Sequence, residues 1–400
     1  MGEIQLPSHW KVVKLGDVCE FIYGKTLPKS QRESGSIPVY GSNGIIDWHN
    51  QAITSSKTIV IGRKGSIGKV NFSLIPCYPI DTTYYIDDVK QPCDLYYLYY
   101  SLSILNLSAL NSSLAIPGLN RNDAYAKIIY LPPVPEQKTI AHTLRTIQKA
   151  KETRQRELEL ERERKAALMQ YLFTHGTRKE PRKQTDIGEI PESWEVVTLD
   201  KVCEFLQYGT SKLCDSDTSG IPVLRIPNVI GGEINISDLK FTKPDKKEFK
   251  KLFLEVGDLL FVRTNGRKEY LGRCAVFCRN PPQAMFASYL IRVRLKPHTL
   301  LPEFVQFYTM THRGKSYLSG RASNAADGKF NINTQTIKSV LVPVAPLNEQ
   351  HELIGTLQAC DRKIQALEKE IALTDELFHA MLEQLMTGKI STQPLTETYV

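Results

Sequence analysis

The chain has 400 residues, with 51 Lys and Arg against 43 Asp and Glu, a formal net charge of +8 and a pI near 8.9. Its length predicts about two to three domains, no apolar run approaches the roughly 18 residues of a membrane span, and the first residues lack the features of a secretory signal. None of its eight cysteines has the C-x-x-C spacing of a zinc site, so we expect a soluble cytoplasmic protein with reduced thiols, Cys274 and Cys278 lying in the core.

The most informative feature is an internal repeat. Pro7-x-x-Trp10 near the start returns as Pro191-x-x-Trp194, each followed by Cys-Glu-Phe, and Glu136-Gln137 returns as Glu349-Gln350. The second copy is longer in its middle. A repeat of this size indicates two copies of a domain, because solenoid units run about 20 to 50 residues.

Each copy contains a globular region, which we call the first head (1–135) and the second head (188–348). Both heads are dense in short β-runs and Gly, Pro, Asn and Ser turns, interrupted by short helical patterns. The pattern predicts an α+β fold for each head. The clearest predicted strands are 58–61, 67–72, 259–263 and 271–277, and the clearest predicted helices are 95–107 and 302–308.

Prolines close each head, and a proline-free segment of about 39 residues follows, far longer than an average helix. Each segment carries an apolar stripe, with basic residues such as Lys151 and Lys165 beside the first and acidic ones such as Asp361 and Asp375 beside the second. This pattern predicts that the two helices pair with each other. The alternative is that the charges are solvated and the stripes dock on separate domains. The predicted pairing residues are Ile140, Leu144, Ile147, Leu158, Leu168 and Leu172 in the first helix, and Leu357, Ile364, Ile371, Phe378 and Leu385 in the second.

Three segments partly match known catalytic motifs, but none of the matches is complete. The glycines at 62–69 are spaced one residue too far for a phosphate loop, and Val70 stands where a Ser or Thr must bind magnesium. Asn280-Pro-Pro-Gln283 lacks the aromatic residue of the adenine methyltransferase signature. Asp245 and Glu248 are too close together for a nuclease metal site. We therefore expect neither a catalytic centre nor a metal site in this chain.

Matched turns carry the stronger signal. In each head a predicted strand runs into a basic, glycine-bearing tip and returns as a second strand, a ribbon that would fit the major groove of DNA. Tyr84 and Tyr289 follow these hairpins at what we take to be equivalent places. The alternative is that the glycines only turn the chain while the basic residues stay solvated. The candidate DNA-binding residues are Arg63, Lys64, Ser66, Lys69, Tyr84, Asn120, Arg121 and Asn122 in the first head, and Arg225, Arg263, Thr264, Asn265, Arg267, Lys268, Arg273, Tyr289, Lys329, Asn331 and Asn333 in the second.

Two divergent domains, each entered by Pro-x-x-Trp and left through Glu-Gln into a long helix, resemble the specificity subunit of type I restriction-modification systems over essentially the whole chain. The resemblance implies two target-recognition domains, each reading one half of a bipartite DNA site, and two spacer helices packed as an antiparallel coiled coil. It implies two modification subunits and restriction subunits as partners, with no membrane. It also implies that the partners bind S-adenosylmethionine, ATP and Mg, and that this chain binds no cofactor. The expected segments are 1–135 and 188–348 for the recognition domains, 136–175 and 349–391 for the helices, and 176–187 for a linker.

Two other classes of function remain open from the sequence. A coiled-coil adaptor with two protein-binding heads would share the long helices, and binding to nonspecific DNA at low salt would distinguish it from a DNA reader. A self-contained methyltransferase with a degenerate motif would bind its cofactor as an isolated chain.

Overall fold

The computed structural model describes residues 6–110, 118–324 and 328–392. The chain divides into two compact units, Met1–Arg156 with Glu368–Val400, and Glu157–Leu367. Both boundaries fall inside long helices, so each unit combines one head with part of each helix. None of the helices described is long and apolar enough to cross a membrane.

The first unit contains the first head, which is built on three sheets. Its elements are β1 (Lys11–Lys14), α1 (Leu15–Val18), β2 (Ile22–Tyr23), β3 (Ile37–Gly41), β4 (Gly44–His49), β5 (Thr58–Gly62), β6 (Val70–Ser73), β7 (Tyr78–Pro79), β8 (Thr83–Ile86), α2 (Leu95–Ile104), α3 (Arg121–Tyr125), β9 (Ile128–Leu131) and the first part of α4 (Val134–His175). Strands β2-β8-β5-β6 form a four-stranded sheet, β4-β3-β7 form a three-stranded sheet, and β1 pairs with β9.

The core of the first head lies on both faces of β5. Successive side chains of a strand point to opposite faces. Ile59 and Ile61 therefore join the cluster that includes Leu98 of α2, while Val60 joins Tyr40 on the other side. This burial explains why the predicted segment 58–61 is uniformly apolar, as expected for a strand covered on both faces.

The second unit contains the larger second head. Its elements are β10 (Arg182–Thr185), β11 (Gly188–Pro191), β12 (Glu195–Thr198), α5 (Leu199–Val202), β13 (Cys203–Tyr208), β14 (Ile221–Leu224), α6 (Ile226–Val229), β15 (Lys240–Thr242), α7 (Lys246–Leu252), β16 (Leu259–Val262), β17 (Thr264–Asn265), β18 (Cys274–Val276), β19 (Met285–Phe286), β20 (Leu290–Leu295), α8 (Pro302–Met310), α9 (His312–Gly320), β21 (Ser323–Asn324), β22 (Phe330–Asn331), α10 (Thr334–Lys338), β23 (Leu341–Val344) and the first part of α11 (Leu347–Met386). Strands β13-β20-β16-β18 form a four-stranded sheet, and β15-β14-β19 and β17-β22-β21 form three-stranded sheets. Strand β12 pairs with β23, and β10 with β11.

The two heads share one scaffold. The sheet order β13-β20-β16-β18 repeats β2-β8-β5-β6, and in both heads a three-stranded sheet has a central strand that is antiparallel to one neighbour and parallel to the other. Among the described residues, the small sheet β17-β22-β21 occurs only in the second head. The repeat in the sequence is therefore a repeat of the fold.

The long helices run antiparallel within each unit. In the first unit Lys151 of α4 pairs with Asp375 of α11, and Arg154 of α4 pairs with Glu370 of α11. Residue numbers therefore decrease along α11 as they increase along α4. The second unit has the pair Lys165 with Asp361. The predicted match of basic and acidic helix residues is confirmed.

The apolar stripes are buried mainly near the helix ends. Ile140 and Leu144 share a cluster with Leu385 in the first unit, and Leu172 shares one with Leu357 in the second. Of the other predicted pairing residues, Leu158 is buried and Ile147, Leu168, Ile364, Ile371 and Phe378 are half-buried. Four further residues of α11 that were not among the predicted pairing residues are buried as well, namely Leu353, Cys360, Leu367 and Met386.

Several expectations about local structure differ from the structure. The strand predicted at 67–72 begins at Val70, the strand predicted at 271–277 is limited to Cys274–Val276, and the helix predicted at 95–107 ends at Ile104. The second long helix ends at Met386 rather than at 391, before Gly388, which has a positive φ of 68°. The expected linker 176–187 includes strand β10, which is paired with β11. Cys278 is exposed rather than in the core, whereas Cys274 is buried, and burial raises the pKa of the Cys274 thiol to about 12.

Candidate nucleic-acid interface

The repeated Trp and Glu residues meet at the junction of each head with its helices. The indole N–H of Trp10 donates to Glu136 over 3.2 Å in the first unit, and that of Trp194 donates to Glu349 over 3.0 Å in the second. The following Gln137 donates to the Pro132 carbonyl and accepts from the backbone N–H of Asp94, at 2.8 and 2.7 Å. These motifs are therefore structural anchors, which hold the helix start against the head.

The first candidate loop, residues 63–69, connects the ends of β5 and β6. The backbone N–H groups of Arg63 and Lys64 both donate to the Thr82 carbonyl, at 2.9 and 3.1 Å. Gly68 has a φ of 73°, and a Cβ there would lie 2.6 Å from the carbonyl carbon of Leu107, so only glycine fits. Lys69 donates to Asn43 over 2.7 Å, which links the loop to the β3–β4 hairpin.

Aromatic side chains orient the arginines beside this loop. The guanidinium of Arg63 lies 5.1 Å from the ring centre of Tyr23 and 5.9 Å from that of Tyr84. The guanidinium of Arg121, from α3, also lies over Tyr23, at 5.4 Å from the ring centre. Among the residues that the structure describes, no carboxylate is within ion-pair distance of either arginine. Two cations are thus held together on an aromatic platform.

The second head repeats this arrangement. Arg263 lies 4.7 Å from the ring centre of Tyr208, its backbone N–H donates to the Tyr289 carbonyl at 3.1 Å, and its carbonyl accepts from Ile332 at 2.8 Å. In the first head the carbonyl of Arg63 accepts from Leu119 at 2.9 Å in the same way. Gly272, with a φ of 74°, occupies the place of Gly68 at the end of the loop.

The small sheet of the second head assembles further candidates. Thr264 pairs with Asn331, and Asn265 with Phe330, while Lys268 lies 5.6 Å from the Phe330 ring centre. The structure therefore brings the 263–268 tip together with the 328–333 segment, which lies far along the chain. Arg267, Lys268 and Lys329 are exposed there.

Several predicted DNA-binding side chains have roles inside the protein. Tyr84 is buried, donates to the Leu119 carbonyl, and burial, with the neighbouring Tyr23, raises its pKa to about 12. Thr264 is buried as well. Asn120 and Asn333 cap α3 and α10, accepting from backbone N–H groups at 2.9 and 2.8 Å.

Three predicted arginines have partners within the second head, and the first is Arg263, whose Nη1 donates to the Ser288 carbonyl at 3.3 Å. Arg225 follows β14 and pairs with Asp238 at 2.9 Å, so its guanidinium already has a carboxylate partner inside the protein. Arg273 lies over Tyr270 at 4.3 Å and donates to the Glu269 carbonyl. Lys315 is close to Arg273, and burial, followed by this second cation, lowers the pKa of Lys315.

The expected pairing of Tyr84 with Tyr289 as equivalent residues is wrong. Tyr84 lies opposite Ile61 in the first head, and Ile291 lies opposite Phe261 in the second, so Ile291 is its counterpart. Tyr289 precedes β20 and is exposed. The two tyrosines are similarly placed in the sequence but differ by two residues in strand register.

The predicted free ribbons are also corrected. The hairpins β5–β6 and β16–β18 exist, but β5 and β16 are inner strands of four-stranded sheets and are fully buried. The loops at their ends carry the exposed candidate side chains. Of the remaining candidates, Lys64, Lys69 and Asn122 are exposed, and Ser66, Asn265 and Asn331 are half-buried.

Tyr23 and Tyr208 were not among the predicted site residues. Their side chains are 48% and 38% exposed, and each is followed by a glycine at which a Cβ would lie 2.1 Å from a carbonyl oxygen. The signal was available, because Tyr-Gly follows the repeated Cys-Glu-Phe in both copies.

The residues of the rejected nuclease motif have structural partners. Asp245 caps α7 by accepting from the backbone N–H of Glu248 at 2.8 Å, and Glu248 pairs with Lys212 at 2.6 Å. Within the described ranges, no group of three His, Cys, Asp or Glu side chains is arranged to hold a metal ion.

Comparison with known proteins identifies this architecture. The family model described as "Type I restriction modification DNA specificity domain" matches residues 7–162 and 191–374, one match for each copy of the repeat. The chain belongs to this family. The two matches include both Trp anchors and both candidate loops.

Similar proteins span nearly the whole chain. The type I restriction enzyme MjaVIII specificity subunit of Methanocaldococcus jannaschii is 25% identical, with 99% of this chain and 96% of that protein covered. The EcoKI specificity subunit of Escherichia coli K12 is 23% identical, with 98% and 92% covered. The crystal structure of a type I system S subunit from M. genitalium has the same fold, with a TM-score of 0.62, 15% identity and 96% and 98% covered. The chain is thus a specificity subunit rather than a catalytic one.

Proposed function

We propose that each head of this specificity subunit reads one half of a bipartite duplex DNA target. The observation that supports this most directly is the duplicated loop, in which Arg63 and Arg263 follow equivalent strands of the two four-stranded sheets, one in each head. Around these arginines the exposed tips differ between the heads. A common scaffold with different tips suits two readers of different base sequences, since base edges are distinguished by the donors and acceptors that reach them.

The helices α4 and α11 would keep the two readers at a fixed spacing and dock two modification subunits, with restriction subunits joining the complex. S-adenosylmethionine, ATP and Mg would be bound by those subunits and not by this chain. The support is the family, together with a solved chain from a study of assembly of a type I system, which matches at a TM-score of 0.57, 17% identity and 97% and 100% coverage. An adaptor with two protein-binding heads is not favoured, because both copies match a DNA specificity domain.

Head exchange tests the proposal. Residues 22–118 would be replaced by the equivalent region of another specificity subunit, and the methylated sites would be mapped in cells that also carry the modification subunit. We expect one half of the target to change and the other half to stay the same. A change in both halves would mean that the heads read DNA as one composite surface.

Calorimetry tests the assignment of the cofactor. The purified chain should give no heat of binding with S-adenosylmethionine, while the complex with the modification subunits should. Binding to the chain alone would favour the self-contained methyltransferase instead.

A further inference from the structure

The tyrosine–arginine pair is the most similar part of two otherwise different sites. Arg63 with Tyr23, and Arg263 with Tyr208, have ring distances of 5.1 and 4.7 Å. In both heads the arginine carbonyl accepts from the segment just before α3 or α10. One position further along, Lys64 is exposed in the first head, whereas the second has the buried Thr264. The pair is thus retained where the adjacent tip is not.

An element that two different readers share is suited to a feature that both half-sites share. Side chains that select bases should differ between heads whose targets differ. The phosphate backbone is the same in every sequence, and contacts to it set the register of a protein on the duplex without carrying sequence information. The duplication therefore favours a phosphate contact over a base contact.

The local chemistry also suits a phosphate. The Nε atoms of Arg63 and Arg263 are buried and have no hydrogen-bond partner among the described residues. Among the described residues, no carboxylate lies within ion-pair distance of either guanidinium. Nη1 of Arg263 donates to the Ser288 carbonyl at 3.3 Å, which orients the group and leaves its other terminal nitrogen for a phosphate oxygen. The stacked ring limits the motion of each guanidinium, and an arginine fork held in this way matches the geometry of phosphate oxygens.

The exposed tyrosine of the second head can add a second donor. The hydroxyl of Tyr208 accepts from the backbone N–H of Thr334 at 3.2 Å, so its own proton remains available to an outside acceptor. In the first head Arg121 adds a second guanidinium over Tyr23, at 5.4 Å.

We propose that Arg63 with Tyr23, and Arg263 with Tyr208, form one DNA phosphate-binding site in each head, which positions the neighbouring tip for base recognition. This inference rests on the proposed function and adds a division of labour to it. The paired tyrosine and arginine hold the backbone, while the divergent residues after the arginine select bases.

The test measures affinity and sequence preference separately. Complexes of the specificity and modification subunits carrying Arg63→Gln or Arg263→Gln would be titrated with duplexes of about 30 base pairs, one with the natural target and others with single base-pair changes, over a range of KCl concentrations. We expect affinity to fall about 10- to 100-fold for all duplexes alike. The slope of log affinity against log salt should decrease in magnitude by about one for each phosphate that the variant no longer neutralises.

Matched variants separate this effect from misfolding. Lys14→Gln removes an exposed charge from β1 and should leave affinity nearly unchanged. Arg63→Lys keeps the charge without the fork and should lose less affinity than Arg63→Gln. Tyr23→Phe keeps the ring and should lose only the contribution of the hydroxyl. The melting temperature of each complex would show that it is folded.

The outcomes distinguish the two proposals. If Arg63→Gln lowers affinity for the natural target but not for a duplex changed at one base pair, the arginine reads a base and the phosphate site is wrong. Unchanged affinity and salt slope in folded complexes would also overturn it. If the unmodified complex shows no preference for any duplex, the proposed function itself fails.

Discussion

Trp194 donates its indole N–H to the carboxylate of Glu349 over 3.0 Å, and the other oxygen of that carboxylate accepts from the backbone N–H of Thr177 at 2.8 Å. Glu349 is completely buried. One side chain thus joins the start of the second head, the start of α11 and the segment after α4. In the first unit Glu136 accepts from the Trp10 indole and, at its other oxygen, from the Thr392 hydroxyl.

Removal of this carboxylate should destabilise the second unit. Glu349→Ala leaves two donors without a partner, each costing about 1 to 3 kcal/mol, so we expect the free energy of unfolding to fall by about 2 to 6 kcal/mol in urea titrations. Trp194→Phe removes the hydrogen bond but keeps most of the packing, and should cost less. Glu352→Ala is the matched control, because Glu352 is exposed and its carboxylate accepts from the Thr177 hydroxyl rather than from the backbone N–H. Equal stability of Glu349→Ala and the control would contradict the anchor.

The ion pair between Lys151 and Asp375 should show charge complementarity. Lys151→Glu places two acids together and should lower the melting temperature of the first unit. Adding Asp375→Lys restores opposite charges and should recover most of the loss. Lys149→Glu, at an exposed site on the same helix, is the control. A double variant no more stable than Lys151→Glu alone would show that the two residues do not interact in solution.

This ion pair also predicts a dependence on pH. The hydrogen bond from Lys151 holds the pKa of the Asp375 carboxyl below its usual value of about 4. Because the folded-state pKa is the lower one, the stabilisation is present above about pH 4 and is lost as the pH falls through the folded-state value. Asp375→Asn should therefore melt earlier than the unmodified protein at pH 6, and the difference should shrink towards pH 3. A difference that is constant over this range would argue against the pair.

The loop tips should control sequence preference. Lys64→Ala in the first head and Arg267→Ala in the second remove exposed donors beside the proposed phosphate sites. Each substitution should relax discrimination by about 1 to 3 kcal/mol at positions in one half-site only, because a donor to a base edge is removed. Methylation mapping would be done on the two variants in parallel. Because they lie in different heads, each serves as the control for the half-site that it should leave unchanged. A weaker preference in the same half-site for both would refute the assignment of one head to each half.

Lengthening of the helices should change the gap between the half-sites. Both α4 and α11 cross the boundary between the units, so seven residues would be inserted after Arg156 and seven after Leu367. A heptad keeps the apolar stripe in phase and adds about 10 Å, which corresponds to up to about three base pairs. Methylation mapping should return the same two half-sites with a longer gap. An insertion after Thr174 is the contrasting variant, since it separates the neighbouring Thr177 from Glu349 and should destabilise the second unit instead.

The repeat, the α+β class and the long helices could be predicted because their signals are local. A proline-bounded, proline-free segment predicts a helix whatever surrounds it, and the opposite charges at Lys165 and Asp361 were enough to indicate which helix pairs with which. The Trp and Glu-Gln motifs marked both heads for the same reason. They recur as unbroken residue patterns in the sequence itself.

Only the tertiary structure decided which side chains form the candidate sites. Tyr23 and Arg63 are forty positions apart and meet because β2, β8 and β5 are neighbours in one sheet, a pairing between distant segments that no local pattern specifies. Strand register likewise made Ile291, not Tyr289, the counterpart of Tyr84. Arg225 was a candidate by charge alone until the fold placed Asp238 beside it. Residue type shows which interactions a side chain is able to make, whereas non-local packing determines which of those interactions are already made inside the protein and which remain for a ligand.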